Sequence, residues 1–179
     1  RPSRVSPPLL MDLPTDEVLP LFPFARFLQE SFPEVPEADV RVVVVDAGAL
    51  DTGERPVFEC LLRQGLAHVL GFEPVEEECA RLNERAAARG GASSGQTLRF
   101  LPVALGSGRA GELRRCSQAM TSSLLEPNLA LLSQFHLLEE VTTVVDRVGV
   151  TTRRLDDLLP ELPHGRLDFL KLDVQGYEL

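Results

Sequence analysis

Cysteine is scarce in this chain of 179 residues: Cys60, Cys79 and Cys116 are an odd number, far apart, and at no metal-ligand spacing. They offer neither a disulfide framework nor a thiolate metal site, and they read as buried or free thiols in a reducing, cytoplasmic setting. Histidine is as sparse. His68 opens a strand-like run, His164 sits between Pro163 and Gly165, and His136 stands alone, so each is assigned a core or surface role. Positive charge is in deficit, with 18 Lys and Arg against 27 Asp and Glu and a net charge of −9, which argues against nucleic acid or an anionic membrane as the main partner. No apolar run approaches the length of a membrane span, and no signal-peptide pattern is visible. No internal repeat or low-complexity linker divides the chain, whose length and ordinary composition suffice for one domain with a sizeable core.

What is present is organised around Val42-Val43-Val44-Val45-Asp46-Ala47-Gly48-Ala49-Leu50-Asp51-Thr52-Gly53. Four valines in a row predict a strand buried on both faces. Gly48 permits positive φ or a close backbone approach in the turn that follows, and a helix is expected over 54–65, with Pro56 in its first turn and Gly65 at its C-cap. Its apolar stripe is Val57, Phe58, Leu61 and Leu62. Upstream, residues 1–35 read as a proline-rich lead-in followed by an interrupted amphipathic helix over 16–30, whose phenylalanines pack on the sheet or roof a pocket. Residues 36–179 form the main domain.

Downstream, strands are expected at Ala67–Glu73, Leu98–Leu105 and Leu167–Asp173, with a helix over Val75–Arg89. Between the last two central strands come a short extra strand at Gly111–Cys116, a polar loop Met120–Leu124, a short helix Asn128–Phe135, extended chain over Val141–Arg154 and a helical turn at Leu155–Leu159. Alternation of strand and helix predicts an α/β fold with a parallel sheet and right-handed crossovers, its first four strands ordered 3-2-1-4. The chain begins at Arg1 and stops at Leu179 just after a strand-to-helix turn, so it is expected to be a piece of a longer protein, with the C-terminal part of the fold missing.

Asp46, Glu73 and Asp173 fall at the carboxyl ends of three strands, the edge of an open α/β sheet where ligands bind. Glu73 follows Asp46 by 27 positions, which suits one β-α-β unit and a carboxylate that accepts two hydrogen bonds from a ribose diol. The loop D-A-G-A-L-D-T-G lacks the third glycine of a dinucleotide site, and Asp51 opposes a pyrophosphate. A cationic nucleoside with an amino-acid tail fits better, and S-adenosylmethionine is such a molecule. Loop amides near Gly48 would take its carboxylate, Asp46 its ammonium and Glu73 its ribose, with the chain from Val103 to Gly106 bordering the adenine.

VVVVDAGALDTG, GFEP at Gly71–Pro74, LPVALGSG at Leu101–Gly108, MTSSL at Met120–Leu124, TRRLDDL at Thr152–Leu158 and DFLKLDVQGYEL at Asp168–Leu179 occur in this order. Together they resemble the FkbM-type S-adenosylmethionine-dependent methyltransferases, over about three quarters of the chain. The resemblance implies a class I methyltransferase (Rossmann-like) fold with helices on both faces of a parallel sheet. It also implies methyl transfer, most often to a hydroxyl of a sugar, polyketide or similar small molecule. By matching motif it implies Asp46, Ala47 and Gly48 at the methionine end of the cofactor, Glu73 with Pro74 at the ribose, and Ala104 and Leu105 near the adenine. Ser122 and Ser123 would lie near the acceptor at the mouth, and Asp173 close to the transferred methyl, as a base or to orient the acceptor.

The chain departs from the family pattern at Leu50 and Asp51, where many members carry Asn, and at Gln175, where many carry Glu. Gln175 keeps a hydrogen-bonding amide but cannot act as a base at neutral pH. A non-catalytic descendant that keeps the fold as a binding or interaction module is the competing expectation.

Overall fold

The computed structural model describes residues 41–50, 56–63, 65–88 and 97–178. The lead-in, the helix expected over 16–30 with its phenylalanines, residues Asp51 and Gly53, and the loop at 91–96 lie outside the described residues. In chain order the strands are β1 (Val42–Ala47), β2 (Ala67–Phe72), β3 (Leu98–Leu101), β4 (Ala104–Leu105), β5 (Ala110–Cys116), β6 (Val144–Arg153) and β7 (Phe169–Leu172). The helices are α1 (Glu59–Arg63), α2 (Glu76–Ala88), α3 (Leu129–Leu132), α4 (Leu138–Val141) and α5 (Leu155–Leu158).

The central sheet is parallel, in the order β3-β2-β1-β7, which is the 3-2-1-4 order expected from the alternation of elements. Its valine run works through the two-residue period of a strand. Val43 and Val45 point to one face and pack with Leu70, Phe72, Leu158 and Leu162. Val44 points to the other and packs with Phe58, Leu62, Ala67 and Val69. Both faces of β1 are therefore dry, which is why the sequence shows no polar alternation there. α1 is shorter than the helix expected over 54–65. Val57 precedes it and is 72% exposed rather than part of the stripe, whereas Phe58 and Leu62 are buried against the sheet and Leu61 packs beside them. Gly65, at φ 70°, ends α1 as expected. α2 is fastened to β3 by Asn83, whose amide nitrogen donates to the Phe100 carbonyl and whose oxygen accepts from the Phe100 N–H.

The strand expected over Leu98–Leu105 is two strands. Pro102 has no N–H to continue a ladder, and the chain turns there, with Val103 N–H donating to the Leu101 carbonyl at 2.8 Å. β3 stays in the central sheet, while β4 pairs in parallel with β6 in a second sheet of order β4-β6-β5. β5 and β6 form the antiparallel ribbon of that sheet, with an irregularity between Arg115 and Cys116. The helical turn expected to stop at Pro160 runs on through it as a 3-10 turn, Leu159–Glu161.

Buried Thr152 ties the second sheet together. Its hydroxyl donates to the Arg109 carbonyl at 2.8 Å and accepts from the N–H groups of Gly108 and Arg109, both at 3.1 Å. Thr152→Val keeps the shape and strands these partners, so a loss of about 1–3 kcal/mol is expected in chemical denaturation.

Residues 117–143 leave the ribbon between β5 and β6 as an excursion that carries α3 and α4. Asn128 caps α3, its side chain accepting from the Leu131 N–H. Glu126, at the start of the excursion, is gripped by Arg147 on β6 and Arg114 on β5, and their hydrogen bonds hold its carboxyl well below the usual range, at about 2. Among the described residues no helix is long and apolar enough to cross a membrane.

Candidate active site

The carboxyl edge of the central sheet opens into a cavity of about 450 Å³, within the range of small-molecule sites. Its floor is made by the ends of β1, β2 and β7, and one wall by the ribbon and the start of the excursion. Asp46, Ala47, Gly48, Glu73, Pro74, Ala104, Leu105, Ser122, Ser123 and Asp173 all line it. The structure thus gathers these ten around one hollow, with Val103 beside them, whereas Gly106, expected to border the adenine, lies outside it. It also shows that their contributions differ.

Glu73 follows the last residue of β2 and is 6% exposed. Its Oε1 accepts the Val75 N–H at 2.8 Å in the turn that leads into α2. Burial raises its carboxyl to about 7; nearby Glu78 adds to the rise, while the Val75 amide and Arg115 oppose it. Among the described residues the second oxygen has no partner, and it is available to the cavity.

Asp46, also 6% exposed, stands opposite Lys171 in the β1–β7 register, and Lys171 Nζ donates to its Oδ1 at 2.9 Å. The same ammonium lies 3.8 Å from Asp173 Oδ2, and Gln175 Nε2 donates to Asp173 Oδ1 at 2.7 Å. A connected row, Asp46–Lys171–Asp173–Gln175, therefore runs across the floor. Lys171 is the member that sequence reasoning missed. Its signal was a lone lysine inside the core strand LDFLKLD, two positions before Asp173 and so on the same strand face. A cation in such a strand requires a partner.

The turn after β1 corrects an expectation. The N–H groups of Gly48 and Ala49 both donate to the Phe72 carbonyl at 3.1 Å, and that of Leu50 donates to the Gly48 carbonyl at 2.9 Å. These amides already have partners and do not wait for a carboxylate. The glycine is required for another reason. At φ 76° its missing Cβ would sit 2.0 Å from the backbone oxygen of Asp173, so the ends of β1 and β7 meet only because nothing projects there.

The two serines divide their work. Ser123, buried, donates its hydroxyl to the Gln175 carbonyl at 2.9 Å and accepts from the Leu125 N–H at 3.0 Å, which leaves little for an acceptor. Ser122 Oγ accepts only the Cys116 N–H at 3.1 Å, so its own proton is uncommitted. No histidine lines the cavity. His68 belongs to the opposite, amino-terminal part of β2, where it is buried with His164 beside it at 6.2 Å between ring centroids. Among the described residues no group of three or more His, Cys, Asp and Glu side chains could hold a metal ion.

The cavity thus lies at the carboxyl edge of a mostly parallel α/β sheet, beside acids and a glycine turn, the edge at which open α/β folds bind their ligands. Comparison with family models gives the next step: the methyltransferase FkbM domain matches residues 46–179. The chain belongs to this family, and this part of it is a methyltransferase domain. Comparisons with curated proteins and with solved structures gave no match.

Proposed function

We propose that this chain is an S-adenosylmethionine-dependent O-methyltransferase of class I, Rossmann-like type, acting on a hydroxyl of a small molecule or glycan. The observation that carries this reading is the meeting of Asp46, Glu73 and Asp173 around one cavity of about 450 Å³. The residues fit the cofactor's chemistry. Glu73 offers an uncommitted carboxylate oxygen to a ribose diol, Ala104 and Leu105 offer an apolar border to an adenine, and Asp46 is an acid for an ammonium. No run of free loop amides stands ready for a diphosphate among the described residues of the β1 turn.

When bound, the cofactor would supply a sulfonium methyl group, whose bond to sulfur breaks as the acceptor oxygen takes it and leaves the neutral thioether. Asp173, 54% exposed at its side chain, would accept a hydrogen bond from the acceptor's O–H and take its proton. Lys171 and Gln175 fix the orientation of that carboxylate from its two oxygens. Gln175, where many relatives carry Glu, thus has a defined task that needs an amide rather than a base. Met120, Leu124 and Val145 give the acceptor side of the cavity its apolar surface. Holding acceptor and donor in line contributes much of the rate.

Calorimetry with S-adenosylhomocysteine tests the proposal. Micromolar binding that Glu73→Ala abolishes is the expected result. Absence of binding to the wild-type chain would overturn it.

A further inference from the structure

The proposed cofactor ends in an α-amino acid, which carries a carboxylate as well as an ammonium. With the amides of Gly48, Ala49 and Leu50 engaged in backbone bonds, the described residues of the β1 turn offer that carboxylate no free donor. Among the described residues three cations line the cavity: Arg85, Arg115 and Lys171. Arg115 faces Asp146 at 3.5 Å, whereas Lys171 is the one bound to Asp46, the acid assigned to the ammonium. Asp46 uses Oδ1 for this bond, and among the described residues its Oδ2 has no partner.

We infer that Asp46 and Lys171 form a preassembled ion pair that reads the zwitterion of an amino-acid-bearing nucleoside, with its ammonium on Asp46 Oδ2 and its carboxylate on Lys171 Nζ. This rests on the cofactor reading above and gives Lys171 a binding role. Two opposite charges side by side on neighbouring strands match two opposite charges on one carbon, antiparallel to them. The four groups then form a closed ring of charge-assisted contacts in which no charge is left alone. The pair is also largely screened from solvent: Asp46 is 9% exposed at its side chain and Lys171 29%. Charges held this way before the ligand arrives cost little reorganisation on binding.

The reading separates two ligands that share the nucleoside. S-adenosylhomocysteine has the amino-acid end and 5′-methylthioadenosine does not. Calorimetry of both on the full chain is compared for wild type, Lys171→Met, Lys171→Arg and the doubly neutral Asp46→Asn/Lys171→Met. Lys171→Met is expected to weaken S-adenosylhomocysteine about tenfold or more while changing 5′-methylthioadenosine less than about twofold. Lys171→Arg should restore most of the loss. The double variant, which leaves no buried charge unpaired, should remain folded and bind the two ligands about equally. Unchanged 5′-methylthioadenosine binding serves as the check that each variant is intact. Equal loss for both ligands, or no loss for either, would overturn the zwitterion site and leave the cofactor reading standing. Wild type that binds neither ligand would overturn both.

Discussion

A Glu73→Gln variant is expected to lose S-adenosylhomocysteine binding and, without ligand, to be more stable than wild type in alkaline solution. Burial puts the Glu73 carboxyl at about 7 in the folded chain, above its ordinary 4.5. A raised carboxyl favours the folded state fully below pH 4.5, where it is protonated whether folded or not. That contribution fades as pH rises through 7, when the folded chain must carry a buried charge. The difference between variant and wild type should grow from near zero at pH 4.5 to roughly 3 kcal/mol at pH 8, read from urea melts across that range. Ligand affinity should run the other way in wild type. An ionised Glu73 accepts both hydroxyls of a diol, and a protonated one loses an acceptor site. Binding should therefore weaken by up to about tenfold per pH unit below 7. A flat affinity between pH 5 and 8 would remove Glu73 from the ribose.

Gly48→Ala should cost at least about 4 kcal/mol and abolish ligand binding with it. The added carbon meets a backbone oxygen at 2.0 Å, not the yielding end of a side chain, and the backbone there is left-handed. Relief requires β1 and β7 to separate at the end where Asp46, Lys171 and Asp173 meet. Gly149→Ala is the matching control, because a Cβ at Gly149 meets nothing within 4 Å. Thermal melts that place the two variants within 1 kcal/mol, on the order of a routine surface change, would show that the strands tolerate the intrusion.

The sequence carried the sheet and the rim well. A run of β-branched residues flanked by turn signals can be read locally, and acids at strand ends fall on one edge once the strands are parallel. For the same reason Asp46, Glu73 and Asp173 could be grouped before any coordinates. The rest depended on partners distant in the chain. Pro102 advertised a break inside Leu98–Leu105, but that β4 leaves for another sheet is decided by pairing with β6, near Thr152. Lys171 stood in plain view, yet its bond to Asp46 arises from a register across 125 positions. The amides beside Gly48 looked available because the carbonyl that takes them, on Phe72, belongs to the neighbouring strand. Ser123 looked like a substrate contact for the same reason: its acceptor is the Gln175 carbonyl, 52 residues away.

That last bond has an evolutionary consequence. Ser123 clasps the root of the excursion to the turn that holds Asp173 and Gln175, and Glu126 is pinned by two arginines a few residues on. Beyond these anchors, from Pro127 to the return at β6, no residue lines the cavity, so length and composition there can drift without disturbing Asp173. Change in that segment would therefore reshape the outer surface of the domain, while the cavity wall built by Met120, Ser122, Ser123 and Leu124 stays as it was.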